Sequence, residues 1–301
     1  MIRIGIDLGG TKTEVIALDD AGAELLRQRR ATPAGDYAAT VQQLAAMVRE
    51  TEAALGERGS VGIGVPGSIS PATGLMRNAN STCLNGQPLQ RDIEALLRRP
   101  VAISNDANCF ALSEATDGAG AGAASVIGVI IGTGTGAGLV VDGTVIGGHN
   151  GVAGEWGHNP LPWPQPEEYP GPACWCGHDG CIETWLSGPG FARDFEQATG
   201  QRLTAEKIVA AAELGDEPAQ QALQRYQSRL ARGLAHIINI FDPEVIVLGG
   251  GMSNIQTLYS TVPDNWGDHV FSDSVATRLL PPVYGDSSGV RGAAWLGAAV
   301  V

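Results

Sequence analysis

Three apolar runs in this chain each end in glycines: "IRIGIDL" before Gly9-Gly10, "SVIGVII" before Gly132-Thr133-Gly134-Thr135-Gly136, and "EVIVL" before Gly249-Gly250-Gly251. Glycine has no Cβ, so its backbone N–H groups approach a ligand closely and its chain turns sharply. Any one such turn reads equally well as a plain tight turn. Three together, two of them carrying threonines, favour N–H groups aimed at phosphate oxygens. The turns match neither the P-loop nor the dinucleotide fingerprint, because no helix follows the first two and the spacing differs. Asp7, at the end of the first strand, is placed to hold a hydrated Mg2+ ion.

The spacing of apolar residues fills in the plan. Ile2, Ile4, Ile6 and Leu8 alternate as one face of a strand, and "TEVIALDD" reads as its returning partner. Helical spacing of Val41, Leu44, Ala45 and Val48 predicts a helix over 36–56. A strand over 60–67, a helix over 88–98 and a strand over 100–106 follow, the last running into a helix that ends near Asp117. The small, flexible stretch "DGAGAGAAS" (117–125) is the best internal boundary. Beyond it the strand, glycine turn and strand of the opening recur at an offset of about 125 residues. Residues 142–190 are loop-rich, a long helix covers 219–241, and a last helix covers 288–299. Strands alternating with helices predict α/β layers. The expectation is two lobes with a central cleft: 1–117 as a smaller N-terminal lobe on which 288–301 packs back, and 118–287 as a larger C-terminal one.

Composition narrows the partners. With 32 acidic and 19 basic residues the formal charge is −13, a poor match for a phosphate backbone bound by bulk electrostatics. No nucleic-acid partner is expected. No stretch of about eighteen apolar residues occurs, so no membrane span is expected either. The opening "MIRIGIDLGG" shows no secretion signal, and a cytoplasmic location follows as an expectation.

Two constellations carry candidate chemistry. Asp106 ends a strand and opens a helix; it reads either as a catalytic carboxylate or as an ordinary N-cap. His158, Cys174, Cys176 and Cys181 have the spacing H-x15-C-x-C-x4-C, which suits a closed, structural Zn2+ site. Gly177 and Gly180 would permit the turns between ligands. Buried thiols, or a strained Cys174–Cys176 disulfide, are the alternatives. Such a metal would fix Glu155 and Glu183, which otherwise read as solvated surface charges. The stretch 163–169, proline-rich and acidic, reads as a lid or as an exposed loop. Cys83 and Cys109 read as small core residues. His149, His236 and His269 show no partners, and nothing in the sequence places Arg291.

The motifs "GIDLGGTKTE", "VPGSI", "NDAN", "IIGTGTGAG", "GEWGH", "CWCGHDGCIET" and "VIVLGGG" occur in order from residue 5 to residue 251. In these the chain resembles the ROK family, whose kinases have the two-lobed actin-like ATPase (ribonuclease H-like) fold. "GEWGHNPLPW" with "CGxxGCIET" is most similar to bacterial fructokinases that also accept mannose. The resemblance implies an ATP-dependent hexose kinase using Mg2+, with fructose phosphorylated at its 6-hydroxyl. Glucose, mannose and N-acetylglucosamine are the alternative substrates, and a non-catalytic sugar sensor is the alternative role. A repressor of the family would carry a helix-turn-helix ahead of the first strand, which here begins at residue 2. By the same resemblance Asp106 is catalytic, and Asp7, Gly9, Gly10, Thr11, Lys12, Gly132, Thr133 and Gly134 meet phosphates and metal. Gly249 and Gly250 flank the adenosine. Asn80, Asn105, Asp106, Glu155, His158 and Glu183 line the sugar pocket, and a homodimer is implied.

Overall fold

The structure is a computed structural model in which residues 1–285 and 288–298 are described. The order of elements is β1 (Arg3–Leu8), β2 (Lys12–Leu18), β3 (Glu24–Ala31), α1 (Tyr37–Leu55), β4 (Ser60–Val65), β5 (Ser68–Ile69), β6 (Met76–Arg77), α2 (Leu89–Leu97), β7 (Ala102–Asn105) and α3 (Asp106–Thr116). There follow β8 (Ser125–Ile131), β9 (Thr135–Val141), β10 (Thr144–Val145), α4 (Ile182–Leu186), α5 (Gly188–Thr199), α6 (Ala205–Glu213) and α7 (Glu217–Phe241). The chain ends with β11 (Val245–Gly249), α8 (Leu258–Trp266), β12 (Arg278–Leu280) and α9 (Ser288–Gly297). Residues 286–287 and 299–301, which the expected lobes and last helix include, lie outside the described residues.

Two sheets organise these elements, with orders β3-β2-β1-β4-β7 and β10-β9-β8-β11-β12. In the first, β1 and β2 form a hairpin in which Asp7 faces Glu14, and β1 pairs in parallel with β4. β7 is parallel to β4, which sets Asn105 beside Val65 at the strand ends. In the second, β11 runs parallel between β8 and β12. Parallel neighbours need covered faces, and the all-buried patterns of β4 and β11 agree.

The chain divides into two compact units, Met1–Gly122 with Gly138–Ala153 and the described residues from Val283 onward, and Ala123–Ala137 with Gly154–Pro282. The two are similar in size. Residues 138–153, expected in the second lobe, belong to the first, because Gly138 lies flush on the Ala107 backbone. The core of the first unit joins Ile4, Ile6, Leu44, Val48, Ile63 and Ile93. Its helix α1 is capped by Asp36, whose side chain accepts the Ala39 N–H at 2.9 Å, and ends at a left-handed Gly56. In the second unit α7 is capped by Asp216 and buries Ala219, Tyr226, Leu230 and Leu234 along one face. Among the described residues no helix is long and apolar enough to cross a membrane.

Candidate active site

In the first unit the β1–β2 turn is braced by Thr32, just past the end of β3, a strand that apolar spacing does not predict. Gly9 N–H donates to Lys12 O at 3.0 Å, and Thr32 N–H donates to Thr11 O at 3.0 Å. The Thr32 hydroxyl donates to Gly9 O at 2.7 Å and lies 2.8 Å from the Thr13 hydroxyl. Gly10, Thr11 and Lys12 are left exposed. Gly10 and Thr11 border a depression of about 370 Å³ that also reaches Thr32, Pro33 and the exposed Asn80.

Two carboxylates of this unit are electrically uncomfortable. The Asp7 carboxyl is pushed up to about 6, mainly by burial, then by the charges of Asp106 and Glu14, with Lys12 and Arg29 pulling it back. Glu14 itself is buried and paired with Arg27 and with Arg29, the latter at 2.8 Å. Asp106 is exposed to solvent, yet neighbouring protein atoms raise its carboxyl, against the pull of the Ala107 N–H at 2.8 Å. The cap of α3 is Asn105, whose Oδ1 accepts the Asn108 N–H at 2.8 Å. The capping role open to Asp106 is therefore filled by its neighbour. Asn105, expected to read sugar hydroxyls, commits its carbonyl oxygen to that cap and keeps only its amide N–H groups for a ligand.

In the second unit the other two glycine turns come together. Gly250, at φ 80°, fits beside Ile131 O, where a Cβ would come within 2.7 Å. Gly188 N–H, at the start of α5, donates to Gly132 O at 2.8 Å. A cavity of about 540 Å³ is lined by Gly132, Thr133, Pro189, Leu203, Gly251 and Met252. Glu206 and Thr204 add polar groups to the same wall. Gly249 is buried as the last residue of β11, so its neighbours Gly251 and Met252 face the cavity instead. Pro189 and Leu203 to Glu206 were missed in the sequence; the helix start Ser187-Gly188-Pro189, with Ser187 capping Gly190 N–H at 3.1 Å, was the available signal.

The Cys/His loop closes on itself. Cys174 N–H donates to His178 O at 2.8 Å, Gly177 N–H to Cys174 O at 3.0 Å, and Gly177 and Gly180 take φ of 95° and 70°. His158 Nδ1 lies 3.6 Å from Cys174 Sγ, Cys176 Sγ lies 3.6 Å from Cys181 Sγ, and all four ligand atoms fall within 4.8 Å of one another. A tetrahedral zinc with its usual bond lengths sets sulfur–sulfur edges of about 3.7 Å and sulfur–nitrogen edges of about 3.6 Å. The donor set fits that ion, and every cysteine is free, so the disulfide reading falls. Without a cation, burial and the neighbouring thiols push Cys181 up to about 12, a penalty that a divalent ion reverses. With Nδ1 turned to the thiols, His158 keeps Nε2 for a hydroxyl.

The two glutamates beside this loop differ. Glu155 is exposed. Glu183 is half-buried, accepting Trp175 Nε1–H at 2.8 Å on Oε1 and Thr135 N–H at 3.0 Å on Oε2. The 163–169 stretch is no free lid, because Glu168 is buried and bonded to Arg229 and Arg232 of α7 at 2.8 Å. His236 and His269 flank Trp163, with ring centroids 6.4 and 5.1 Å away. Arg291 is buried under Tyr284, where it binds Asp117 and Gly22 O within the first unit.

The model of the ROK family matches residues 3–299. The chain is 41% identical over 296 residues to an N-acetyl-D-glucosamine kinase of Vibrio cholerae, covering 97% of this chain and 98% of that protein. Among solved structures, a ROK hexokinase from Thermus thermophilus superposes with a TM-score of 0.88 at 30% identity, over 99% of this chain and 98% of that one. A ROK family glucokinase from Streptomyces griseus, solved with glucose and AMPPNP, gives 0.77 at 27% identity over 99% and 100%. The likeness to fructokinases read from two motifs is not borne out by these relatives. The two-sheet α/β architecture is that of the actin-like ATPases.

Proposed function

The chain belongs to the ROK family, and on that premise we propose that it transfers the γ-phosphoryl group of ATP to the 6-hydroxyl of N-acetyl-D-glucosamine. The supporting observation is 41% identity over nearly the full length of a kinase named for that sugar. It favours the acetamido sugar over fructose, which rested on two short motifs.

Phosphoryl transfer is mostly positioning and charge stabilisation. In this reading Asp106 accepts a hydrogen bond from the sugar's 6-hydroxyl and directs its oxygen at the γ-phosphorus. The O–P bond to the sugar forms as the bond to the ADP oxygen breaks, and the hydroxyl proton passes to Asp106 late in the step. Exposed N–H groups of the first turn and the N–H groups of Thr133 and Gly134 hold phosphate oxygens, the Gly132 N–H being spent on Gly134 O at 2.9 Å, and the cavity beside Gly251 and Met252 takes the adenosine. Asp7 would hold hydrated Mg2+, which would supply positive charge against the phosphates. The zinc loop presents Glu155, His158 Nε2 and Glu183 to sugar hydroxyls.

A panel of kcat/KM values for N-acetylglucosamine, glucose, mannose and fructose tests the substrate. A pocket that hydrogen-bonds the acetamide leaves those groups unpaired with any other hexose, so N-acetylglucosamine should lead by about 100-fold or more. Fructose equal or better would restore the motif-based reading.

The Asp7 assignment has a pH signature. A carboxyl raised to about 6 stays protonated until the pH exceeds that value, so the anion that binds Mg2+ is lost as pH falls through 6. Affinity for Mg-AMPPNP should drop about tenfold for each pH unit below that point, with proton release on binding. Calorimetry in two buffers of different ionisation enthalpy measures both. Affinity that stays flat from pH 5 to 7.5 would remove Asp7 from the metal site.

A further inference from the structure

We propose that Trp175 is a positioning residue for nucleotide binding, acting from inside the Cys/His loop through Glu183 on the 132–135 turn. Trp175 is 75% exposed, so it contributes little to the core. Its ring stands edge-on to His158 with centroids 4.8 Å apart, and its indole N–H holds Glu183 Oε1 at 2.8 Å. The other oxygen of the same carboxylate takes Thr135 N–H at 3.0 Å. Gly134 lies so close that a Cβ there would meet Glu183 Oε2 at 2.8 Å.

The loop grips Thr135 from a second side. Gly157, the neighbour of His158, is packed so that a Cβ would fall 2.0 Å from Thr135 O, and Ala137 N–H donates to Gly154 O at 3.0 Å. The backbone of the second glycine turn is thus held on one side by a close-packed glycine and on the other by a carboxylate. The indole N–H holds the other oxygen of that carboxylate. Both oxygens of Glu183 being engaged, the residue expected to read sugar is also a strut that shapes the phosphate turn. Disturbing the loop therefore reaches the nucleotide as well as the sugar.

This inference rests on the reading of 132–135 as a phosphate turn. The test is Mg-AMPPNP binding by calorimetry without sugar, on wild type, Trp175→Phe, Glu183→Gln and the double variant, with zinc content measured on each preparation. Phenylalanine keeps the ring and removes only the donor. Loss of one partly exposed hydrogen bond to a carboxylate should weaken binding about 3- to 10-fold at unchanged zinc content. The double variant should bind no more weakly than Glu183→Gln alone, because the indole acts only through that carboxylate. Wild-type affinity in Trp175→Phe, additive losses in the double variant, or a loss that tracks missing zinc overturns the proposal. Wild type that fails to bind the nucleotide overturns the phosphate-turn reading instead.

Discussion

Asp106→Asn should lower kcat by about 100- to 10,000-fold while leaving the protein folded, the usual cost of removing a general base. In barrier height that is about 3 to 5 kcal/mol, at 1.36 kcal/mol per decade. The fold should tolerate the change for a local reason. Asn105, not Asp106, caps α3, and an asparagine at 106 is isosteric and can still accept the Ala107 N–H. KM values should move much less than kcat, since the lost interaction matters only as the hydroxyl proton leaves. A second readout separates this from general damage. The Asp106 charge is one of the groups holding Asp7 up near 6, so removing it should shift the acid limb of nucleotide binding to lower pH. Turnover within about tenfold of wild type would assign Asp106 to structure and leave the reaction without its base.

Much of this was legible in the sequence, and what was not has physical causes. β1, β8 and β11 announce themselves because apolar runs ending in glycine have few other uses, and α1 and α7 because one face must be buried. β3 escaped because it is the edge strand: "ELLRQRRA" exposes five of its eight residues and spends Arg27 and Arg29 on Glu14. The helix α9 was expected, but the reason it packs so closely was not. At Gly292 a Cβ would fall 1.6 Å from Cys109 O, and at Gly62 1.9 Å from Ala293 O, so these glycines are helix-packing sites rather than turns. The clustering of His158, Cys174, Cys176 and Cys181 was readable because three of the four sit within one short loop. The lining of the 540 Å³ cavity was not, because Leu203 and Met252 are far apart in the chain and ordinary in type. Asp106 was ambiguous from sequence for a similar reason: whether 105 or 106 caps depends on one backbone torsion.

Glu168→Ala should destabilise the protein by about 3 to 5 kcal/mol, the cost of stripping one partner from a buried ion pair. Glu168 is 6% exposed and receives four bonds of 2.8 Å: Arg229 Nε and Arg232 Nη2 on Oε1, Arg232 Nη1 and Gln165 N–H on Oε2. Burial by itself would raise this carboxyl; the bonds from Arg232, Gln165 and Arg229 outweigh it and hold it below the ordinary range. Alanine would leave Arg232, 2% exposed, with only the carbonyls of Pro162 and Trp163. Arg229 would keep Asp194 at 2.8 Å and its place over the Trp185 ring, which sets the lower end of the range. At about 2 to 4 °C per kcal/mol, the fall in Tm is on the order of 10 °C. The sign with pH follows from the depressed carboxyl. Its contribution is present above the unfolded-state value near 4.3 and disappears as pH falls through the folded-state value. The gap in Tm between wild type and Glu168→Ala should therefore narrow below about pH 4. Glu168→Gln, which keeps volume and part of the bonding but not the charge, should fall between the two. A Tm within 1 °C of wild type for the alanine variant would mean that α7 does not depend on this anchor, and would return 163–169 to consideration as a mobile flap.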